Sequence, residues 1–401
     1  MDMITPIKHS ILWACICLLV LQACESPYDP ELEEVDVVPT LIVDGFIDLN
    51  GPSRFTITRS VPIHSGESGP VGGGFLGPVQ AEISVVAENG EHFQGVRESS
   101  AGQYRVDHGK LDSENAYFLR IETNGNVYES TPSRAMQSGE IDELEFRLRD
   151  EETLEILLSS SDPQHSTAYY RWEFEETWKF NSPISSSARL IDGQLVDITP
   201  ETNYGTCYLD NFSSNILIAS TSQFTDNRIV QKPIQSISNT SEKLSSRYSI
   251  LVKQYAISQE SFGFWELIQR NSENIGDIFG VMPSEIGGNI RNLNDPSERV
   301  VGFIEVLQPT EKRIYINNFD VPPQWMLSKD IPFYAGCRVV DTLTIGEAPA
   351  FFRAFPAYLP GLYIFSNPVS PFPTHINFAP ARCVDCRFYG RQEKPDFWID
   401  Y

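Results

Sequence analysis

A period-two alternation of apolar and polar residues restricts most of this chain to β-structure. Within residues 40–131, segments such as 41–47 and 117–121 place apolar side chains on one face, and turn residues separate the segments. Asn89 and Gly90 end one segment, and both residue types accept the positive φ of a tight hairpin. Because side chains alternate between the two faces of a strand, the pattern predicts strands with one buried face.

The predicted fold class is mainly β, with a smaller N-terminal domain and a larger second domain. About seven short strands within residues 40–131 resemble an immunoglobulin-like β-sandwich. A linker over 131–139 leads to a β-rich second domain over 140–401. One helix is predicted there, near residues 259–271, because Ser258 can cap it and apolar side chains recur on one side. These apolar side chains are Phe264, Trp265 and Ile268.

Residues 169–180 carry an aromatic stripe, in which aromatic side chains recur at alternate positions. The stripe consists of Tyr170, Trp172, Phe174, Trp178 and Phe180. An exposed stripe would serve as a carbohydrate-binding platform, whereas a buried stripe belongs to a core. Since large aromatic side chains lie mostly inside folded domains, we predict that this stripe is core.

The first 24 residues predict export and lipidation. Lys8 and His9 precede an apolar run over 11–21, which is too short to span a bilayer as a helix but suits a signal peptide. The run ends in Leu-Gln-Ala-Cys, which resembles a lipobox. We therefore predict that residues 1–23 are a signal peptide and that Cys24 carries diacylglycerol. The alternative is an ordinary secretory signal that ends near a cysteine.

Lipid on Cys24 would anchor the protein, because two or more acyl chains hold a chain stably at a membrane. Residues 24–39 then form an acidic, proline-containing tether. The formal net charge of −24 repels phosphate backbones, so nucleic acid is not expected as a partner. The sequence thus predicts an exported protein that its lipid holds at a membrane.

The cysteines that follow Cys24 are Cys207, Cys337, Cys383 and Cys386. An even number in an exported chain predicts structural disulfides, with the pairing left open. The Cys-Val-Asp-Cys segment could instead belong to a zinc site or a redox motif. Zinc would need a second close pair, and Pro380, Gly390 and Pro395 disfavour the helix that a redox motif usually opens. A bridge from the tail back to Cys207 or Cys337 would stabilise the irregular C-terminal residues.

No segment predicts a catalytic, metal or cofactor site. Residues 72–77 match Gly-x-Gly-x-x-Gly, but Pro78 and a strand follow where a dinucleotide site needs a helix. The histidines show no His-Glu-x-x-His spacing, and no Gly-x-Ser-x-Gly elbow is present. Aspartate and glutamate number 54, too many to select a glycosidase pair. Calcium binding stays open, since acidic loops are present without an EF-hand spacing. The histidines of the mature chain are His64, His92, His108, His165 and His375.

Several segments together resemble a known family. They read LIVDGFI at 41–47, RYSILVKQY at 247–255, GDIFGVMPSEIGGNI at 276–290, VVGFI at 300–304, CVDC at 383–386 and KPDFW at 394–398. These segments are similar to the Bacteroidota lipoprotein family called domain of unknown function 4249 (DUF4249), over nearly the whole mature chain. Val281 and Met282 depart slightly from the family, whose members usually carry proline at or beside Met282.

The resemblance implies an outer-membrane lipoprotein on the periplasmic or cell-surface face. Members of the family are often encoded near TonB-dependent receptors, which implies an accessory or binding module that works with such a receptor. The resemblance names no ligand, no cofactor and no catalytic residue. The alternative is a secreted hydrolase, either a glycoside hydrolase or a peptidase, with a site built from scattered carboxylates.

Overall fold

The computed structural model describes residues 39–60, 76–164, 166–273, 286–326, 334–367 and 371–400. The predicted signal peptide, Cys24, nearly all of the tether, most of the glycine-rich loop, His64 and His165 lie outside these residues. The chain divides into two compact units, residues 1–39 with 60–76 and residues 40–59 with 77–401. The second unit contains the cores, the pockets and the disulfides.

The strands account for most of the regular structure, as predicted. The first twelve are β1 (Leu41–Asp48), β2 (Ser53–Ser60), β3 (Leu76–Pro78), β4 (Glu82–Ala87), β5 (His92–Arg97), β6 (Gln103–Val106), β7 (Tyr117–Thr123), β8 (Asn126–Ser130), β9 (Glu140–Leu148), β10 (Thr153–Ser161), β11 (Tyr169–Asn181) and β12 (Ala188–Ile191). The others are β13 (Gln194–Asp197), β14 (Thr206–Phe212), β15 (Leu217–Ser220), β16 (Arg228–Ser238), β17 (Arg247–Ala256), β18 (Ile290–Asn292), β19 (Val300–Val301), β20 (Val306–Leu307), β21 (Thr310–Asn317), β22 (Asp341–Thr344), β23 (Tyr358–Ile364) and β24 (His375–Pro380).

The α-helices of the described residues are α1 (Gln259–Glu273), α2 (Ala348–Ala354) and α3 (Ala381–Val384). Short 3-10 helices cover Pro200–Thr202, Glu242–Leu244, Asn318–Asp320, Pro323–Met326 and Cys386–Phe388. The predicted helix near 259–271 is therefore confirmed as α1. Its N-terminal cap is also confirmed, because the Ser258 hydroxyl accepts a hydrogen bond from the Ser261 N–H at 3.0 Å.

The N-terminal β-sandwich is formed by one long sheet in the order β18-β8-β7-β4-β5-β6-β2-β1-β19. The sheet curls because β5 pairs with both β4 and β6, so β1 and β2 pack against β4 and β7 across a shared core. Core side chains include Leu41 and Phe55 from one half and Val85 and Leu119 from the other. The predicted hairpin at Asn89 and Gly90 joins β4 to β5. The sequence prediction of an N-terminal sandwich is thus confirmed.

The two ends of this sheet meet at a pair of glycines. Gly288 and Gly302 form a parallel bridge beside β18 and β19, which lie at opposite ends of the strand order. A Cβ on Gly288 would lie 1.8 Å from the Gly302 carbonyl oxygen, so only glycine permits this approach. The Asn289 side chain then holds Ile304, accepting from its N–H at 2.8 Å and donating to its C=O at 2.7 Å. Closure leaves fewer unpaired edge groups in the sandwich.

The segment that closes the sandwich, residues 288–307, is called the closing segment. It does not follow the predicted domain division. The sequence prediction placed residues 290–307 in the second domain, with everything after 140. In the structure β18 pairs with β8, and β19 and β20 pair with β1. The edges of β8 and β1 need partners, and chain that is distant in sequence supplies them. Local alternation carries no information about such long-range pairing, so the pattern alone did not reveal it.

The second core lies between two further sheets. Their strand orders are β16-β10-β9 and β14-β11-β17-β21, with β15 also paired to β11. The aromatic stripe of β11 faces this core and each member is at most 5% exposed, so the prediction that it is core is confirmed. The members are Tyr170 and Trp172 at 1%, Phe174 at 3%, Trp178 at 5% and Phe180 at 0%.

Glu176 lies on the same face of β11 and is fully buried. Its carboxylate accepts from Lys243 Nζ at 2.6 Å, the Tyr248 hydroxyl at 2.5 Å, Asn211 Nδ2 at 2.7 Å and Gln235 Nε2 at 3.2 Å. Burial by itself raises the pKa of Glu176, but the charge of Lys243 and these hydrogen bonds outweigh burial and lower it. A buried charge is therefore fully compensated inside the second core.

The C-terminal residues form more regular structure than the sequence predicted. A sheet in the order β22-β24-β23 packs with α2 and with the β12–β13 hairpin around a small core. Ala348 and Phe352 from α2 and Ile376 and Phe378 from β24 fill that core. Prolines and short elements obscure the periodicity here, because a strand of four to seven residues shows little alternation.

Two disulfides tie this C-terminal region to the rest of the chain. Cys207 bonds Cys386 and Cys337 bonds Cys383, with Cα–Cα distances of 5.7 and 5.6 Å. The predicted pairing of all four cysteines is confirmed, and both tail cysteines reach back along the chain. None of the four thiols is left for a zinc or redox site. Their sequence separations of 179 and 46 residues correspond to roughly 5 and 4 kcal/mol in the chain-entropy account.

Gly302→Ala should destabilise the protein by about 3 kcal/mol. The φ of Gly302 is +149°, and a Cβ there would lie 2.2 Å from the Val43 carbonyl oxygen. Urea unfolding followed by tryptophan fluorescence measures the change. Gly287→Ala is the matched control, because no atom of the described residues lies within 4 Å of its Cβ position. Equal stability of the two variants would show that closure does not depend on the glycine contact.

Glu176→Gln should reduce the free energy of unfolding at pH 7 by about 3 kcal/mol, because it leaves Lys243 without its charged partner. The folded pKa of Glu176 is lowered, so its contribution is present above the unfolded pKa of about 4.3 and is lost as pH falls through the folded pKa. The difference from the wild type should therefore narrow between pH 7 and pH 3. Urea unfolding at both pH values tests this, with exposed Glu143→Gln as the control. A difference that does not change with pH would contradict the role of charge.

Candidate functional site

A pocket of about 330 Å³ lies where β1 of the sandwich faces β11 and β17 of the second core. We call it the junction pocket. Charged and aromatic side chains line it, together with Gly45, Pro52 and Ser53. The side chains are Asp44, Phe46, Asp48, Arg54, Arg171, Glu173, Lys253 and Tyr255. Its walls thus come from segments that are distant in sequence.

Strand register explains why these side chains meet. Arg171 and Glu173 occupy the face of β11 opposite to the aromatic stripe, since side chains two apart share a face. In the antiparallel pairing with β17, Arg171 lies directly across from Tyr255, and Glu173 lies across from Lys253. One face of β11 therefore builds the second core while the other presents charge to β1.

Gly45 gives the wall formed by β1 its shape. Its φ is +135°, and a Cβ there would lie 2.3 Å from the Arg54 carbonyl oxygen. The glycine permits close approach of β1 and β2 between Asp44 and Phe46, both of which line the pocket. Asp44 is exposed to solvent. Phe46 instead packs edge-on against Tyr255, with ring centroids 5.3 Å apart.

Arg171 is the centre of the junction pocket. It is only 8% exposed, and its guanidinium lies 5.1 Å from the Tyr255 ring centroid and 4.4 Å from that of Trp265 on α1. Nη2 lies 2.9 Å from Glu173 Oε1. The Nε–H is buried and has no hydrogen-bond partner among the described residues. A buried N–H that has no hydrogen-bond acceptor reduces the stability of the fold, because it has lost its bond to water.

The other charged groups around Arg171 are unequally compensated. Glu173 also accepts a hydrogen bond from the Tyr255 hydroxyl at 3.0 Å. Burial of Tyr255 and the negative charge of Glu173 both raise the pKa of Tyr255. Lys253 contacts Glu175 at 2.6 Å. Neighbouring protein atoms partly desolvate the Asp44 carboxyl and raise its pKa, against the opposing charge of Arg171. Asp44 makes no ion pair within the described part of the chain.

A second pocket, of about 460 Å³, lies beside the start of α1. Glu305 lines it and is 8% exposed, and its carboxylate accepts from the Ser258 N–H at 3.2 Å. Burial raises the pKa of Glu305, whereas hydrogen bonds at the helix start and the charge of Arg171 oppose the increase. Since this carboxylate already bonds the start of α1, we assign Glu305 a structural role.

The predicted site residues lie elsewhere. Cys24 is outside the described residues, and the four paired cysteines line neither pocket. His108 bonds the Ser53 hydroxyl at 2.7 Å, but no described histidine lines the junction pocket. Over the described ranges, no group of three or more potential metal ligands occurs, and no helix has the length and apolar character to cross a bilayer.

Sequence reasoning missed Asp44, Arg171 and Glu173. Asp44 lies within the quoted segment at 41–47, and the other two lie between members of the aromatic stripe. The available signal was the alternation itself, because charged residues interleaved with buried aromatics must occupy the opposite face of the strand. That face carries function only if something packs near it, and the sequence does not show what does.

Comparison with solved structures gives distant similarities. A two-domain fibronectin type III segment of chicken tenascin is 9% identical, with 54% of this chain and 91% of that chain covered and a TM-score of 0.15. The adhesin InvE of Yersinia pseudotuberculosis is 11% identical, with 54% and 55% covered and a TM-score of 0.14. β-Glucuronidase 3 of Bacteroides uniformis is 11% identical, with 50% and 25% covered and a TM-score of 0.15. A search of curated proteins found no match.

The sequence model of a family described as "Domain of unknown function (DUF4249)" matches residues 25–313. The matched range contains the sandwich, the closing segment and every residue of the junction pocket. It also contains four of the six segments on which the sequence resemblance rested, at 41–47, 247–255, 276–290 and 300–304, whereas the segments at 383–386 and 394–398 lie beyond it. The chain therefore belongs to the DUF4249 family.

Proposed function

We propose that the mature protein is an outer-membrane lipoprotein, anchored through Cys24, that acts as a binding or accessory module for a TonB-dependent receptor. The observation that carries the binding role is Arg171, a buried arginine that lines a preformed pocket and has one carboxylate contact there, from Nη2 to Glu173 at 2.9 Å. Ligand sites are typically concave and contain a few fixed polar groups that set orientation.

The predicted location is supported by three features of the chain. The lipobox at residues 21–24 provides an anchor, and the acidic tether places the folded part at a distance from it. Two long-range disulfides are typical of chains that fold outside the cytoplasm. The net charge of −24 disfavours adsorption to anionic lipid, which favours attachment through the lipid alone.

Anchoring is tested by fractionation of a lipoprotein-processing bacterium that expresses the full chain. We expect the wild type in the outer-membrane fraction and Cys24→Ser outside it, because the variant cannot accept diacylglycerol. After gentle detergent solubilisation, the wild type should co-purify with a TonB-dependent receptor. Repeated isolation of the lipoprotein alone would contradict the partnership, and equal fractionation of the two forms would contradict the anchor.

A secreted hydrolase is the second candidate function, and one observation favours it. Asp44, Asp48 and Glu173 line one pocket, and the raised pKa of Asp44 suits a general acid. However, Asp48 accepts from the N–H groups of Asn50 and Gly51, and Glu173 contacts Arg171 and Tyr255. Two of the three carboxylates therefore already have structural partners.

We expect no hydrolysis when the mature protein is incubated with oligosaccharide and peptide libraries and the products are followed by mass spectrometry. Asp44→Asn provides the comparison, because Asp44 is the one of these three carboxylates that forms no ion pair and holds no turn within the described residues. Hydrolysis by the wild type that this substitution abolishes would replace the binding role with the enzymatic one.

A further inference from the structure

We infer that the junction pocket binds a small zwitterion of the amino-acid or dipeptide class, with its carboxylate on Arg171 and its ammonium group on Asp44. This inference rests on the proposed binding role and specifies the ligand class. It follows from which donors and acceptors of the pocket are already used, from the balance of charge and from the size of the pocket.

Arg171 selects a carboxylate. A guanidinium has five N–H donors, and within the described residues its carboxylate contact is Nη2 to Glu173 Oε1 at 2.9 Å. The planar fork of arginine matches a carboxylate, which can accept two parallel hydrogen bonds. The guanidinium carbon lies over the rings of Tyr255 and Trp265, and these contacts hold it in place. The Nη–H groups that do not contact Glu173 remain for a ligand.

The other cations of the pocket are already paired. Lys253 Nζ lies 2.6 Å from Glu175 and 3.8 Å from Glu311, and Arg54 contacts Glu98 at 3.4 Å. Each keeps its charge near the pocket but has a carboxylate of its own. Arg171 is likewise paired, with Glu173, but it is the most buried of the three cations, so a charge-assisted hydrogen bond from a free Nη–H to a ligand carboxylate is least screened by water there.

Asp44 provides the complementary charge. Among the described residues it is the pocket carboxylate that forms no ion pair and holds no turn, since Glu173 contacts Arg171 and Asp48 accepts from Asn50. Its side chain faces solvent at the pocket, so an entering ammonium group meets it directly. A carboxylate and an ammonium group form a charge-assisted hydrogen bond, which is stronger than a neutral one.

The charge balance excludes other ligand classes. The lining holds the cations Arg54, Arg171 and Lys253 and the anions Asp44, Asp48 and Glu173. A phosphate or nucleotide would meet repulsion from the three carboxylates, and a simple cation or a neutral sugar would bring no anionic acceptor for the free Nη–H groups of Arg171. A volume of 330 Å³ lies at the lower end of ligand pockets, which suits a single amino acid or dipeptide. Phe46 and Tyr255 supply apolar contact for its side chain.

The test uses residues 24–401 with Cys24→Ser, both disulfides intact, in titration calorimetry. The probes are the free L-amino acids and the dipeptide glycyl-leucine. We expect at least one to bind. For that probe, N-acetylation and carboxyl amidation should each weaken binding by at least about tenfold, because each removes one charge-assisted contact. Equal binding of the acetylated form would overturn the zwitterion in favour of a simple anion.

Asp44→Asn is the decisive variant, because it changes an accessible side chain and preserves its shape. It should weaken binding of the zwitterion at least about tenfold and leave the N-acetylated form unaffected. Asp107→Asn is the matched control, since Asp107 is an exposed carboxylate paired with Arg105 outside the pocket. Unchanged binding by Asp44→Asn, with its fold verified by circular dichroism, would overturn the assignment of the site.

Failure of every amino acid and of glycyl-leucine to bind would overturn this inference on ligand class. The proposed function would then still be decided separately by the outer-membrane fractionation and the receptor co-purification. Conversely, zwitterion binding by a protein that neither anchors nor co-purifies with a receptor would support the ligand class and contradict the accessory role.

Discussion

The contact between Gly288 and Gly302 is the constraint on which the rest of the architecture depends. It closes the sandwich with chain that has already passed through β9 to β17 and α1, so the two cores cannot be consecutive, independent domains. The same segment continues into β20 beside β1 and then into β21 of the second core. Closure therefore sets β1 against β11, which creates the junction pocket.

The two buried charges of β11 have different roles because their surroundings differ. Glu176 faces the second core, and four donors satisfy its carboxylate, so it is a structural charge. Arg171 faces the junction and is held by two rings and one carboxylate, with a donor left over. Low local dielectric makes a satisfied group stabilising and an incomplete one costly. The position of Arg171 in the lining of a pocket, with one carboxylate contact, is the feature on which the proposed ligand site rests.

Much of the secondary structure could be predicted, because it depends on local chemistry. Alternation identified strands, Asn89 and Gly90 identified a hairpin, and Ser258 identified the start of α1. The prediction was weakest for the C-terminal residues, where short strands and prolines erase the periodicity and the disulfides supply stability. The candidate site was not predicted, since Arg171 looked like one charged residue among many in a strand.

The sequence by itself determined the β-rich class, the buried aromatic stripe, the even set of cysteines and membership of the DUF4249 family. Each of these follows from residue type and short-range spacing. Only the tertiary structure decided which cysteines pair, which segment closes the sandwich, and which of the many carboxylates face Arg171. These depend on pairings between segments that are distant in sequence, as between β18 and β8 or between Cys207 and Cys386. Such contacts arise from packing and strand register, which no local pattern encodes.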